Sequence, residues 1–282
     1  MSAKDTFRAL FKVPLVEKLL ASYTNNKAYG SGLTKLTPNH YSYKSPALRR
    51  VKRNEVNFEL DIANIVDWNI YFGFYEASRE NLFHLHPNPN VILDIGANIG
   101  EISLRFAQRY PQASIHGFEP FPDTFETLKR NVSLNSFPNI ELHPLGLGSE
   151  QGKVFFEERS AGNPGMNRVT SDPEKSSREV AITTLDSFIQ NLGDQHISLI
   201  KIDVEGYELE VLKGARNLIQ EHHPVFFIEL DDDNLKDQNS SALELIQFLQ
   251  AFGYKIRHAE THAQLTENSD FHDCHFDIVA EV

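Results

Sequence analysis

The stretch Val91-Ile-Leu-Asp-Ile-Gly-Ala-Asn-Ile-Gly100 decides how the rest of the chain is read. Its opening residues lack polar alternation, so they form a strand buried on both faces, as in a parallel sheet. The strand runs directly into a glycine turn and a helix. Further on, Ser114-Ile-His-Gly-Phe118 reads as a second such strand and ends on Glu119. A glycine turn lets a bulky ligand approach the backbone, and an acid at the next strand end can accept a ribose diol. Together they predict a nucleoside-cofactor site in an α/β sheet.

The wording of the turn narrows the cofactor. Asp94 stands at the carboxyl end of the first strand, where open α/β sheets bind ligands. Gly96 and Gly100 permit a tight turn and close approach, and Asn98 offers an amide between them. A dinucleotide turn would read Gly-x-Gly-x-x-Gly, leaving N–H groups free for a pyrophosphate. Here three residues separate the glycines, and an acid just before the turn would repel phosphate. Asp94 suits the ammonium and sulfonium charges of S-adenosylmethionine better. Glu119 is the second anchor, and Pro120 and Phe121 could pack on the adenine or the cofactor chain. The plainer role for Glu119 is a solvated acid at a helix N-terminus.

A third motif is Leu199-Ile-Lys-Ile-Asp-Val-Glu-Gly-Tyr-Glu208. Asp203 and Glu205 fall where a strand ends and its helix begins, across the ligand crevice, and Gly206 permits the sharp change of direction. Carboxylates there could orient an acceptor, take a proton from a hydroxyl, or hold a divalent metal. The alternative for Glu205 is an acid capping the helix start. Glu229 and Asp231-Asp-Asp233 could add oxygen ligands for magnesium, but a required metal is not expected; the aspartates read as a solvated loop and helix entry. Of the histidines, only His143 is kept as a distant candidate base. His258, His262, His272 and His275 read as loop or strand-start residues with no zinc-site spacing.

Working outward, strands are predicted at 91–95, 114–118 and 197–202, with helices at 99–109, 121–135, 206–220 and 241–252. Pro224–Leu230 is a further strand, and Tyr254–Arg257 with His275–Val282 reads as a closing antiparallel pair. Dehydrogenase-like sheets do not usually end so; the S-adenosylmethionine-dependent methyltransferase fold does. A hairpin strand is expected at Lys153–Phe156, followed by a polar Gly/Pro/Ser-rich loop over 161–177 that could serve as a lid. Residues 61–83 carry many aromatics (Trp68, Tyr71, Phe72, Phe74, Tyr75) and predict helical turns broken at Gly73, with packing as the favoured role of the rings. Residues 1–60 read as an irregular N-terminal extension of unknown role, with a short strand or hairpin over 48–60.

Bulk properties bound the partners. The 282 residues can bury a sizeable core, and the net charge of −12 argues against a nucleic-acid backbone or an anionic membrane as the main partner. The single cysteine, Cys274, excludes an intrachain disulfide and fits a reducing, cytoplasmic compartment. No apolar run approaches the roughly 20 residues that span a bilayer. Residues 7–20 are amphipathic and lack the unbroken core of a signal peptide; they could lie on a membrane or a partner, but a helix capping the main domain is the expected role.

These residues resemble the FkbM family of S-adenosylmethionine-dependent methyltransferases. The resemblance rests on Leu93-Asp-Ile-Gly-Ala-Asn-Ile-Gly100, on Phe118-Glu-Pro-Phe-Pro122 with Asn131 and Asn135, on Thr184-Leu-Asp186, and on Lys201-Ile-Asp-Val-Glu-Gly-Tyr-Glu208 with Val211-Leu-Lys-Gly-Ala215. It covers roughly residues 61–282, the expected methyltransferase domain. It implies a Rossmann-like class I methyltransferase sheet, mostly parallel with a terminal antiparallel strand. It also implies methyl transfer to a hydroxyl oxygen of a small molecule or sugar. Cofactor residues carry over onto Asp94, Gly96, Asn98 and Glu119, and Asp203 with Glu205 match the other acidic motif. Where family members tend to have Asn before the last strand, this chain reads Cys274-His-Phe-Asp277, a departure on the acceptor side. An N-methyltransferase, a non-catalytic cofactor-binding scaffold and a nicotinamide-dependent oxidoreductase are the competing readings.

Overall fold

The computed structural model describes residues 3–157, 168–170 and 178–282. Helices α1 (Ala3–Arg8) and α2 (Pro14–Thr24) precede a hairpin of β1 (Leu48–Arg53) and β2 (Val56–Asp61), then α3 (Ile65–Phe72) and α4 (Ala77–Leu82). The alternating part begins with β3 (Val91–Ile95), α5 (Glu101–Arg109), β4 (Ser114–Phe118), α6 (Pro122–Ser133) and β5 (Ile140–His143). Four short strands follow: β6 (Gly146–Leu147), β7 (Gly152–Glu157), β8 (Arg168–Thr170) and β9 (Arg178–Thr183). Helix α7 (Leu185–Phe188) leads into β10 (Ile197–Ile202), α8 (Glu208–Lys213), α9 (Arg216–His222) and β11 (Val225–Asp231). The chain closes with α10 (Asp232–Asp237), α11 (Ala242–Ala251), β12 (Lys255–His258), β13 (Gln264–Leu265) and β14 (His275–Glu281).

Among the described residues the main sheet has the order β13-β12-β14-β11-β10-β3-β4-β5. Strands β11, β10, β3, β4 and β5 are parallel, while β14 inserts antiparallel between β11 and β12. Every residue of β3 and β10 is buried, which is why their sequences show no polar face. Alternation still sorts the side chains. Val91, Leu93 and Ile95 join the core under α8, α9 and α11, and Ile92 joins the opposite core with Phe106 and Ala107 of α5. Strand β3 lies between β4 and β10, so the chain reverses direction across the sheet at the carboxyl ends of β3 and β10. Open α/β sheets place their ligand crevice there.

The helix expected over 206–220 is two helices, broken at Gly214–Ala215. A Cβ on Gly214 would stand 2.0 Å from the Gly148 carbonyl oxygen, so only glycine lets the chain press against that loop. The Gly214 carbonyl accepts the Asp186 N–H (2.9 Å), and the Asp186 carboxylate in turn accepts the Asn217 and Leu218 N–H groups (3.1 and 2.9 Å) that open α9. Helix α3 ends as expected on Gly73, left-handed at φ 65°. Trp68, Tyr71 and Phe72 pack in the core with Val56, Phe58 and Leu60.

Residues 48–60 form the expected hairpin, its turn made by Asn54 and Glu55, both at positive φ, as a two-residue hairpin loop requires. The boundary expected at 60/61 falls inside β2. That strand is held by α6: Asn131, fully buried, accepts the Glu59 N–H (2.9 Å) and donates to the Ile99 carbonyl (3.0 Å), and Asn135 accepts the Asn57 N–H (2.9 Å). Strands β6 to β9 make a separate small sheet, β6-β9-β7-β8, joined to α6 by an Arg178–Asp123 ion pair (2.8 Å). Nearly all of the loop expected to act as a lid lies outside the described residues.

Candidate active site

The carboxyl ends of β3, β4 and β10 open into a cleft of about 700 Å³, within the usual range for small-molecule sites. Gly96, Ala97 and Asn98 line it, with Glu119, Pro120 and Phe121 on one side and Lys201, Asp203 and Glu205 on the other. Gly96 has φ 77°, and a Cβ there would lie 1.8 Å from the Asp203 carbonyl oxygen. The turn after β3 therefore touches the end of β10 directly. Asn98 also takes positive φ (49°), which turns its backbone N–H onto Glu119. Gly100 (φ 93°) does not line the cleft; its missing side chain makes room for Leu128 of α6.

Glu119 is 8% exposed, so it is not the solvated helix-start acid of the plainer reading. Its Oε2 accepts the Asn98 N–H (3.0 Å) and its Oε1 the Phe121 N–H (2.9 Å). Burial pushes its pKa up to about 7, against the two backbone N–H groups and Lys201, which pull it down. A carboxylate has about four lone-pair sites, so each oxygen can accept one more donor from the cleft. Two hydroxyls on neighbouring carbons match that capacity.

Asp94 is fully buried beneath the turn, on the α5 side of the sheet, where Ser103 Oγ donates to its Oδ2 (2.5 Å). It reaches the cleft through Lys201, a residue the sequence reading passed over. The Lys201 ammonium lies 3.4 Å from Asp94 Oδ1 and 3.4 Å from Asp203 Oδ2, and donates to the Gly96 carbonyl (2.8 Å). Burial lowers its pKa, but Asp203 and Asp94 outweigh burial and hold it above the ordinary lysine value. One cation thus ties the turn after β3 to the acid after β10. The signal was present in the sequence as a single charge inside an otherwise largely apolar strand.

Beyond Asp203 the chain turns sharply. Glu205 has φ 56°, and Gly206, at φ 100°, could not carry a side chain because its Cβ would meet the Asn234 carbonyl oxygen at 2.3 Å. The acid that caps this turn is Glu208, which accepts the Val204 and Gly206 N–H groups (3.1 and 3.0 Å). Glu205 instead lines the cleft and accepts from the Asn234 amide (3.0 Å).

The far wall carries Arg79, Phe227, Glu229, His258, His275 and Asp277. His258 stacks on Phe276, and His275 meets Asp231 Oδ2 at 2.9 Å. Both face the cleft because β12 ends and β14 begins at it, a placement that depends on strand order. His143 does not line the cleft; it stacks on Phe118, meets Phe188 edge-on and shares a hydrogen bond with His116 Nδ1 (3.0 Å). Burial pushes its pKa down to about 4. Asp203, Glu205 and Glu229 present ligand atoms within 4.8 Å of one another, a set able to chelate a divalent cation. The neighbouring Asp203 charge, then burial, then Glu205 raise the Glu229 pKa well above the usual carboxylate range. Asp232 belongs to none of this: it opens α10, the helix entry expected, but it is buried rather than solvated, accepting the Ala242 N–H (3.0 Å) and pairing with Lys236.

Residues 94–256 match the Methyltransferase FkbM domain family. A Beauveria bassiana protein described as Methyltransferase 1 is 31% identical, with 45% of this chain and 59% of that protein aligned. Hexuronic acid methyltransferase AglP of Haloferax volcanii is 32% identical, over 46% of this chain and 52% of its own. The chain thus spans a little over half the length of these two relatives. A solved methyltransferase FkbM from Methylobacillus flagellatus aligns with 98% of this chain and 62% of its own, at 19% identity and a TM-score of 0.45. No helix among the described residues is long and apolar enough to cross a membrane.

Proposed function

The chain belongs to the FkbM methyltransferase family, and on that premise we propose that it transfers a methyl group from S-adenosylmethionine to a hydroxyl oxygen of a sugar or other small molecule. The observation that carries this reading is one cleft with Glu119 on one side of the Gly96 turn and Asp203 on the other. Bound S-adenosylmethionine supplies a methyl already activated by its sulfonium centre.

Glu119 takes the ribose diol, each oxygen using the acceptor capacity its backbone partners leave. The turn from Gly96 to Asn98 brings main chain against the amino-acid end of the cofactor, with Gly100 shaping the entry to α5. Pro120 and Phe121, faced by Val154, Phe156 and Ile182 of the small sheet, make an apolar slot for adenine. Asp94 contributes from beneath, through Lys201. Asp203 orients the acceptor hydroxyl and takes its proton as the oxygen gains the methyl, while Glu205 positions the acceptor. Lys201 holds Asp203 in place. Alignment of this kind is worth about 7–11 kcal/mol of barrier, and the reaction so written needs no metal. Cys274, buried and unpaired, suits a cytoplasmic setting.

The sugar acceptor is supported by the hexuronic acid named for the Haloferax relative. The carboxylates of Asp203 and Glu205 at the cleft favour a second reading, transfer to the nitrogen of an amine. Incubation with S-adenosylmethionine and a panel of uronic acids, neutral sugars and amines separates them. We expect a product one methyl heavier, with the methyl on oxygen, and Asp203→Asn to lower kcat by about 10²–10⁴-fold with cofactor affinity unchanged. A methyl on nitrogen, or equal loss of kcat and cofactor affinity, contradicts the assignment.

A further inference from the structure

Helix α2 buries two polar residues, Glu17 and Thr24, beside Leu20 and Ala21. Glu17 is 1% exposed and is anchored by Arg49 (2.6 Å), the Tyr43 hydroxyl (2.9 Å) and the Tyr71 hydroxyl (3.3 Å). Thr24, on the same side, is fully buried and donates to the Phe72 carbonyl (2.5 Å). The outward side presents Leu15 and Leu19, at 69% and 64% exposure. Rotating that side inward would tear Glu17 from its partners, so the apolar face is held outward.

Residues before α2 are exposed and apolar as well. Phe7, Leu10 and Val13 are each more than half exposed. The following segment is bound alongside: Arg8 Nε donates to the Lys35 carbonyl (2.7 Å) and the Asn39 amide to Asp5 (2.6 Å). Lys18 and Lys35 are exposed at its margins. The charge is divided in the same way. Residues 1–60 hold eleven Lys and Arg against four Asp and Glu, a net +7, while residues 61–282 hold sixteen against thirty-five, a net −19. The overall charge of −12 therefore conceals a basic end carrying the exposed apolar surface. Singly exposed apolar residues need no explanation, but a contiguous run does.

We propose that this face lies in the plane of an anionic lipid bilayer, its leucines and phenylalanine at the acyl boundary and its lysines among the headgroups. Helices with large apolar side chains on one face and lysines at the margin bind in this way. Repulsion of the acidic remainder is screened beyond about 8 Å at physiological salt, so the contact sees mainly the local positive charge. A two-fold dimer through the same face would set one basic end against another. The inference is independent of the acceptor chosen by the active site.

The test is cosedimentation of the full chain with vesicles of phosphatidylcholine alone and of phosphatidylcholine containing about one-third phosphatidylserine. We expect binding at least about tenfold tighter to the anionic vesicles, weakening severalfold as salt is raised. Leu15→Gln/Leu19→Gln, which keeps helix propensity and the Glu17 anchor, should abolish binding while thermal melting and S-adenosylmethionine affinity stay unchanged. Lys18→Glu/Lys35→Glu should erase the preference for anionic lipid. Wild-type protein that ignores both vesicles, or binds them equally, overturns the proposal. So does a lipid-free dimer, seen by sedimentation velocity, that the double glutamine variant dissociates.

Discussion

Glu119, proposed to hold the ribose diol of the cofactor, has an environment that sets a pH dependence. Burial raises its pKa to about 7 in the free protein, whereas the ribose diol is accepted by the ionised form. Cofactor affinity should therefore be flat above pH 7 and fall by about tenfold for each pH unit below it, as measured by titration between pH 8 and 5.5. Affinity unchanged across that range would show that Glu119 does not hold the diol. The effect on folding runs the other way: an acid with a raised folded pKa costs stability above pH 7, and the cost fades as pH falls toward its ordinary value. Lys201 shows what residue-level reading misses. Its charge inside an apolar strand was visible, but the two acids it joins, Asp94 and Asp203, lie far apart in sequence. Only the pairing of β3 with β10 brings them together. His258 and His275 were passed over for the same reason.

At the scale of elements, the buried amide of Asn131 fastens the β1–β2 hairpin to the sheet domain. Asn131→Ala would leave the Glu59 N–H and the Ile99 carbonyl without their partner. Each unsatisfied group costs about 1–3 kcal/mol, so urea unfolding should show a loss of about 2–6 kcal/mol with the fold retained. A loss below about 0.5 kcal/mol, within the range of neutral surface changes, would mean that the hairpin is not tied to α6 through this side chain. The strands at 91–95, 114–118 and 197–202 were legible because double burial removes the regular polar alternation from the sequence. The break between α8 and α9 was not, because it depends on Gly214 meeting Gly148, a contact between distant segments. The resemblance motif containing Asn131 was visible, but its structural use was not: the residue it grips sits in the segment read as a separate extension.

For the whole molecule, a mostly parallel sheet with an inserted antiparallel strand sets the Gly96 turn, Glu119 and Asp203 around one cleft, and local sequence gave enough to place all three at strand ends. What local sequence could not give was the far wall, because Arg79, Glu229, His258 and Asp277 arrive from four separate elements. Net charge likewise hid the split between a basic amphipathic end and an acidic body. The measurement that bears most directly on the central claim is calorimetric titration of the folded protein with S-adenosylmethionine and S-adenosylhomocysteine, beside Glu119→Ala. The account predicts binding of both by the wild type and at least about a hundredfold loss in the variant, equivalent to two charge-assisted hydrogen bonds of about 1.5 kcal/mol each. Absence of binding by the folded wild type, or full affinity in Glu119→Ala, would contradict it.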